Sequence, residues 1–339
     1  MILSHLKNLT VIDEDLTDDS FGSYIDKRSV EQLFNYGLIL LDKPPGPTSH
    51  ETVAWTKRIL NLPKIGHSGT LDPAVSGVLP LGLGNATKAL GVLLLGPKEY
   101  YALGRIHSFL DGKKLDDALS NFRGPIYQKP PQRSSVLRQT RVRTIHELEL
   151  LEQKERLLLL RVLCESGTYI RKLYYDLGEV LGNGSTMIEL RRSRVHQFSE
   201  SDHLVTLYEL TDAYNEWKDN QNDTKLRQII RPIEQVFSEM KSVIIRDSAV
   251  GALCHGAQLA IPGVLQVSKD LKKGDFVAVY TQKNEIVAIA EAQLNPEEIK
   301  NMVKGQAFIT KRIIMDVDVY PKRWSSKTPR SDLSSSPKV

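Results

Sequence analysis

Apolar residues crowd GLILLD at 37–42, and the proline-stiffened turn KPPGP follows at once. That pattern predicts a buried strand running into a tight turn. In HETVAWTKRIL at 50–60, Val53, Ala54, Trp55, Ile59 and Leu60 recur at helical spacing, and Thr48, Ser49 or His50 stands where a cap belongs. The next segment, KIGHSGTLDPAVSGVLPLGLGNATK at 64–88, cannot be a helix, because Gly66, Gly69, Pro73, Gly77 and Pro80 interrupt it. Leu71, Val75, Val78, Leu79 and Leu81 supply apolar anchors, so the reading is a tight, anchored loop of the kind that carries function. LGPKEYYALGRIH reads as a strand and KKLDDALSNF as a short amphipathic helix. HELELL and LLLLRVLCE form a hairpin pattern that turns near Lys154. GTYIRKLYYDLGEVLG predicts a helix ending at Gly182 or Gly184, and STMIELRRSRVHQF a closing strand. Strands and helices intersperse, with hairpin pairing dominant, which points to an α+β fold with a mainly antiparallel sheet.

The pattern changes after this. Residues 205–240 hold helical patches around the very polar YNEWKDNQNDTK and read as a bridge. From 241 to 320 come short strand candidates, KSVIIR, GAQLAI, FVAVYT, EIVAIAEAQL and FITKRIIM, punctuated by glycines. About 75 residues of short strands and turns predict a small β-barrel. The expected organisation is an arm at 1–36 that packs on the barrel, a larger domain with its connecting region at 37–240, the barrel at 241–320, and a disordered basic tail at 321–339.

Composition narrows the class. With 339 residues, 25% charged and 41% hydrophobic, the chain is long enough for two cores. No apolar run reaches membrane-spanning length and no signal opens the chain, so the expectation is a cell-interior, cytoplasmic protein without a membrane. Cys164 and Cys254 stand 90 residues apart without a CxxC, and the eight histidines are scattered, so neither a disulfide scaffold nor a metal site is signalled and no cofactor is expected. The net charge of +4 is unevenly placed. Between 123 and 146 stand Arg123, Lys129, Arg133, Arg138, Arg141 and Arg143 with no acid among them. Such a block is either a solvated face or a contact for a nucleic-acid backbone.

Candidate chemistry is sparse. Asp72 lies in the anchored loop, although Asp before Pro is also a common turn element. Arg171 sits at a helix start, where the macrodipole disfavours a cation, so a carboxylate partner is expected. Tyr100 and Tyr169 offer ring faces to a base, or simple packing. His67 is a loop hydrogen-bonding group rather than a metal ligand, and no second carboxylate stands near Asp72 in the manner of a glycosidase.

Taken in order, these pieces resemble a known family. GHSGTLDPAVSGVLP at 66–80, KEY at 98–100, FRGPIYQKPPQRSS at 122–135, CESGTYIRKLYYDLG at 164–178 and MIELRR at 187–192 are similar to the motifs of the TruB family of pseudouridine synthases. LDKPPGPTSHETVAWTKRIL at 41–60, DSAVGALCHGAQLAIPG at 247–263 and YPKRW at 320–324 resemble its dyskerin-type branch, whose small second domain is a PUA RNA-binding module. With no long lysine-rich tail, the likeness is to the archaeal form. The segment after Pro131 passes directly into the next strand, without the RNA-gripping insertion of the bacterial enzymes.

The resemblance implies isomerisation of uridine to pseudouridine in rRNA or tRNA, directed by an H/ACA guide RNA that selects the substrate RNA. It implies the protein partners Nop10, Gar1 and L7Ae. Asp72 would attack C1′ or open a glycal route by deprotonation, Arg171 would hold that carboxylate, and Tyr100 would stack on the flipped-out base. Tyr169 would pack near the nucleoside, Leu190 would wall the pocket, and His67 would contact RNA or orient the loop. Arg133, Arg138, Arg141 and Arg143 would meet phosphates near the catalytic domain, and Lys311 and Arg312 would hold the guide RNA from the PUA domain. Two other readings stay open: a stand-alone tRNA uridine modifier, and a non-catalytic RNA-binding scaffold.

Overall fold

The computed structural model describes residues 6, 8–109, 112–130 and 139–322, with side chains from Lys114 onward in the third of these segments. Arg133, Arg138 and residues 323–339 of the expected tail lie outside them. The described chain forms two units, one of residues 28–239 and one that joins 1–27 to 240–339.

The larger unit is built on a ten-stranded sheet. Its main path runs Arg231–Pro232, Gly37–Lys43, Ser76–Leu83, Ser185–Val195, Lys98–Ile106, Leu157–Cys164, Arg141–Lys154, Gly124–Gln128. Every pairing is antiparallel except that of Ser76–Leu83 with Ser185–Val195. The α+β expectation holds, and the hairpin turns at Glu155, whose φ is +52°. The helix Ile170–Leu181 packs its Leu173, Tyr174 and Leu177 with Ala102, Leu160 and Val162 of the sheet in one apolar cluster. The Tyr174 hydroxyl donates to the carbonyls of Ala102 and Leu158 at 2.9 and 3.0 Å, tying the helix to two neighbouring strands. The helix stops where Gly182 takes a left-handed φ of +70°.

The segment 64–88 is not a loop throughout. It contains the strands Ile65–His67 and Ser76–Leu83 and a short 3₁₀ turn at Gly84–Lys88. A strand tolerates its glycines and proline here for local reasons. A Cβ on Gly77, whose φ is +105°, would lie 2.2 Å from the Arg192 carbonyl oxygen, so only glycine lets the two strands meet. On that side Ser76 and Gly77 pair with Ser185–Val195, while Leu81–Leu83 pair with Ile65–His67. Pro80 falls in the gap between them, where its missing N–H interrupts neither ladder. Residues 207–229 are likewise more than a bridge. Leu207–Asn220 and Thr224–Ile229 are helices whose Leu210, Ala213 and Leu226 join Val30, Leu33 and Phe34 in a second core. Phe34 and Trp217 meet edge to face at 5.4 Å.

The smaller unit is a seven-stranded sheet in the order Leu9–Val11, Val264–Ser268, Lys241–Ile245, Phe276–Tyr280, Ile286–Ala292, Gln306–Ile313, Leu259–Ala260. Lys241–Ile245 and Phe276–Tyr280 run parallel, the other pairs antiparallel. Its core is made of Val243, Val267, Val279, Val287 and Phe308 with the helix Asp247–Cys254. The edge strand Leu9–Val11 and the strand Val264–Ser268 are absent from the sequence reading. Among the described residues no helix is long and apolar enough to cross a membrane.

Candidate active site

Asp72 is held from both sides along the chain. Thr48, not Ser49 or His50, caps the helix Ser49–Ile59, in a capping box with Glu51. That frees Ser49, fully buried, to bond the backbone of Leu71: its hydroxyl donates to the Leu71 carbonyl at 3.1 Å and accepts from the Leu71 N–H at 2.8 Å. On the other side Lys43 ends its strand with no exposed surface and donates to the carbonyls of Pro44, Pro73 and Val75 at 2.9, 3.1 and 2.8 Å. Burial, then the charge of Arg192, holds the Lys43 ammonium below its usual value. Both neighbours of Asp72 are therefore fixed while its own carboxylate stays exposed.

Arg171 meets that carboxylate, its Nη2 pairing with Asp72 Oδ2 across 99 residues of sequence. This resolves the cation at a helix start: the partner is a carboxylate from another element. The preceding turn is fixed by Gln128, nearly fully buried, which accepts from the Tyr169 N–H at 2.9 Å and donates to the Tyr169 carbonyl at 3.1 Å. A cavity of about 80 Å³ opens beside it, lined by Gln128, Pro130, Arg141, Arg143, Gly167 and Tyr169.

Tyr100 and Leu190 lie on the face of the sheet that carries the helix Ile170–Leu181, Leu190 buried and Tyr100 partly so. Burial raises the Tyr100 phenol, opposed by the charge of its cross-strand partner Arg192, while the Asp72 charge raises it further. Arg192 is 2% exposed, and its Nε and Nη2 donate to the carbonyls of Val78 and Gly69 at 2.9 and 3.2 Å. These carbonyls flank the loop that carries Asp72. His67 accepts from the Gly69 N–H at Nδ1, 3.3 Å away, and stacks edge to face on His50 at 5.3 Å. Burial, then the charges of His50 and Arg192, lowers its pKa. Lys98 completes the surroundings, donating to the carbonyls of Leu93, Leu94 and Gly96 and to the Ser166 hydroxyl at 3.2, 2.6, 2.7 and 3.0 Å. Burial, reinforced by Arg192, pushes it down to about 8.

Three cations, Lys43, Lys98 and Arg192, are thus buried in this unit, and Lys43 and Lys98 each feel the charge of Arg192. Among the described residues none of the three has an ion-pair partner. None of the three was singled out from the sequence, and Ser49 only as a candidate helix cap. A signal existed: Lys43 ends a strand whose first five residues are all apolar or glycine, and Arg192 shares strand parity with Leu190. Of the basic candidates, Arg141 is exposed and Arg143 pairs with Glu165 at 3.3 Å. Lys311 pairs with Glu291 at 2.6 Å, and Arg312 is exposed. In each unit's own frame these stand on the Arg141–Lys154 and Gln306–Ile313 strands.

Four family models match the chain. They are the N-terminal domain of TruB family pseudouridylate synthases at residues 57–112, the C-terminal domain of tRNA pseudouridylate synthase B at 171–238, the PUA domain at 241–314, and the DKCLD domain at 1–53. A curated protein of Archaeoglobus fulgidus, named a probable tRNA pseudouridine synthase B, is 47% identical over 323 residues, covering 95% of this chain and 99% of its own. Its namesake in Methanocaldococcus jannaschii is 44% identical, with 95% of both chains covered. Among solved structures, a Cbf5–Nop10–Gar1 complex matches at 44% identity and a TM-score of 0.83, covering 93% of this chain and 96% of that one. An H/ACA ribonucleoprotein bound to a substrate RNA containing 2′-deoxyuridine matches at 42% identity and a TM-score of 0.83, with 93% and 97% covered. Identity at this level over nearly the whole length shows the family: the chain belongs to the TruB family of RNA pseudouridine synthases, in its archaeal dyskerin-type branch.

Proposed function

We propose that this chain converts uridines to pseudouridines in RNA as the catalytic subunit of a guide-directed H/ACA ribonucleoprotein. The observation that carries the reading is Asp72, its backbone neighbours held by Ser49 and Lys43 and its carboxylate paired with Arg171. The reaction breaks the N1–C1′ bond, turns the uracil and joins C5 to C1′; C5 loses a proton and N1 gains one. Asp72 starts it, as nucleophile at C1′ or as the base of a glycal route, and both need an ionised carboxylate in a fixed direction. Arg171 supplies the direction through its guanidinium. Tyr100 meets the flipped-out nucleoside, with Leu190 and Tyr169 as pocket neighbours. Arg141, Arg143 and, outside the described residues, Arg133 and Arg138 contact phosphates; Lys311 and Arg312 of the PUA domain contact the guide RNA. Nop10 and Gar1 are proposed partners because a solved relative contains both; L7Ae follows from the H/ACA reading.

The name of the relatives, probable tRNA pseudouridine synthase B, favours a second reading, a tRNA enzyme, here taken as working without a guide. One experiment separates the two. Pseudouridine formation in a short uridine-containing RNA is followed with the purified chain, with and without guide RNA and partners, beside Asp72→Ala. Turnover that requires the guide and vanishes in the variant is expected. Equal turnover on free tRNA without a guide supports the second reading, and tight guide binding without turnover by the assembled wild type overturns both.

A further inference from the structure

The guanidinium of Arg192 stands behind the candidate site, and among the described residues no carboxylate pairs with it. A bulge puts it there. In the pairing of Lys98–Ile106 with Ser185–Val195, Glu99 faces Arg194 but Tyr100 faces Arg192, and the extra residue is Ser193. Ser193 is secured by its hydroxyl, which donates to Glu99 at 2.8 Å. In an unbulged register Tyr100 would face Ser193. Bulges of this kind re-aim side chains beside functional sites. Here the result is a direct cross-strand pair, with the phenol and the guanidinium on one face.

We infer that Arg192 is a positioning residue whose guanidinium occupies the acceptor side of the Tyr100 phenol and turns its single O–H into the cleft, to donate to an oxygen of the reacting nucleoside. The cross-strand pairing and the donor chemistry of the two groups carry this. Arginine has donors only, so the Tyr100 hydroxyl cannot donate back to it. Among the described residues that O–H has no acceptor. Two Arg192 nitrogens are committed to Gly69 and Val78, which fixes the plane of the guanidinium. The O–H is therefore left for substrate. The chemistry uses it: when N1–C1′ opens, the electron pair goes to the uracil and charge develops on its oxygens. A preorganised hydrogen bond backed by a buried cation stabilises that charge. Tyr100 keeps its proton throughout, so the C5 proton leaves to another acceptor, such as water.

The inference rests on the proposed pseudouridine reaction, and its test keeps the two apart. Single-turnover rates and substrate-RNA Kd are measured on the assembled complex for wild type, Tyr100→Phe, Arg192→Lys and the double variant, with Asp72→Ala as blank. The expected loss is roughly 100-fold for Tyr100→Phe and about tenfold or more for Arg192→Lys, with Kd unchanged. In the Tyr100→Phe background, Arg192→Lys should cost less than about threefold, because the hydroxyl it orients is gone. Equal costs in both backgrounds overturn the inference and leave Arg192 as a clamp on the loop carbonyls alone. A wild-type rate in Tyr100→Phe also overturns it. Should Arg192→Lys not fold, the pH profile decides: a rate flat between pH 7 and 9 fits a phenol that stays protonated, and a tenfold rise per unit overturns it. A wild-type complex that makes no pseudouridine overturns the proposed reaction itself.

Discussion

Arg171 occupies the second position of its helix, where exposed N–H groups already concentrate positive charge. The Asp72 carboxylate compensates it, and the proposed reaction draws on the geometry of the pair rather than its strength. Both partners are more than half exposed, so the pair adds little to stability. Arg171→Lys keeps the charge and loses the planar fork. It should lower single-turnover rate by about tenfold or more while the thermal midpoint stays within a degree or two. A loss of stability in step with activity would instead make Arg171 a structural residue. Ser49 is the opposite case. It touches no exposed surface, and Ser49→Ala leaves the Leu71 N–H and carbonyl unpaired beside Asp72. A denaturant titration should show about 2 kcal/mol of destabilisation, together with slower turnover. Asp72 and Arg171 were legible in the sequence because each lies in an ordered motif and one poses an electrostatic problem that the other answers. Lys43, Ser49 and Arg192 were not, because their partners are main-chain carbonyls and amides, which any sequence supplies.

At the scale of elements, periodicity read well wherever one face meets a core and the other meets water. The hairpin 141–164 and the helix Ile170–Leu181 are of that kind. It failed at Ser76–Leu83, which is buried on nearly its whole length and carries glycines where other backbones approach. There the composition of a loop and that of a crowded central strand coincide. The short helix Gly91–Leu95 shows what replaces periodicity in such places, since its carbonyls end on the Lys98 ammonium. That ammonium makes a pH prediction. Its pKa is about 8 when folded against an ordinary value of 10.5. Below about 8 the lysine is charged in both states and its burial is a constant penalty. Between about 8 and 10.5 the unfolded chain holds the proton and the fold does not, so this residue makes stability rise with pH. Wild type minus Lys98→Met, compared by urea unfolding from pH 7 to 11, should shift in favour of wild type by up to about 3 kcal/mol. A difference independent of pH would show that Lys98 titrates normally.

At the scale of the whole molecule, chain order and unit membership part company. Residues 1–27 belong with 240–339, although more than 200 residues separate them. The attachment is specific. Leu9–Val11 adds an edge strand to Val264–Ser268, and the Ile12 N–H donates to the Leu265 carbonyl at 2.8 Å. Asp247 accepts from the Thr17 hydroxyl and the Asp18 N–H at 2.9 and 2.8 Å, and Glu285 accepts from the Ser23 N–H at 2.9 Å. Lys283 is 2% exposed, and its ammonium donates to the carbonyls of Asp18 and Phe21. Acidic and polar composition alone reads this stretch as an arm, since its partners are single buried charges far along the chain. Deleting residues 1–24 would leave Asp247, Glu285 and Lys283 without those bonds. Each orphaned buried group costs on the order of 1–3 kcal/mol. The prediction is a selective loss. Hydrogen exchange should accelerate across the strands Lys241–Ile245, Val264–Ser268 and Phe276–Tyr280, while the sheet and helix around Tyr174 keep their protection. Lys283→Met in the full chain removes the buried charge together with its need for those carbonyls, so it should loosen residues 13–24 without unfolding the smaller sheet. Unchanged exchange in the deletion would show that the smaller unit is complete without its N-terminal strand. Uniform acceleration through both units would show that the segment supports the whole chain rather than the sheet it joins.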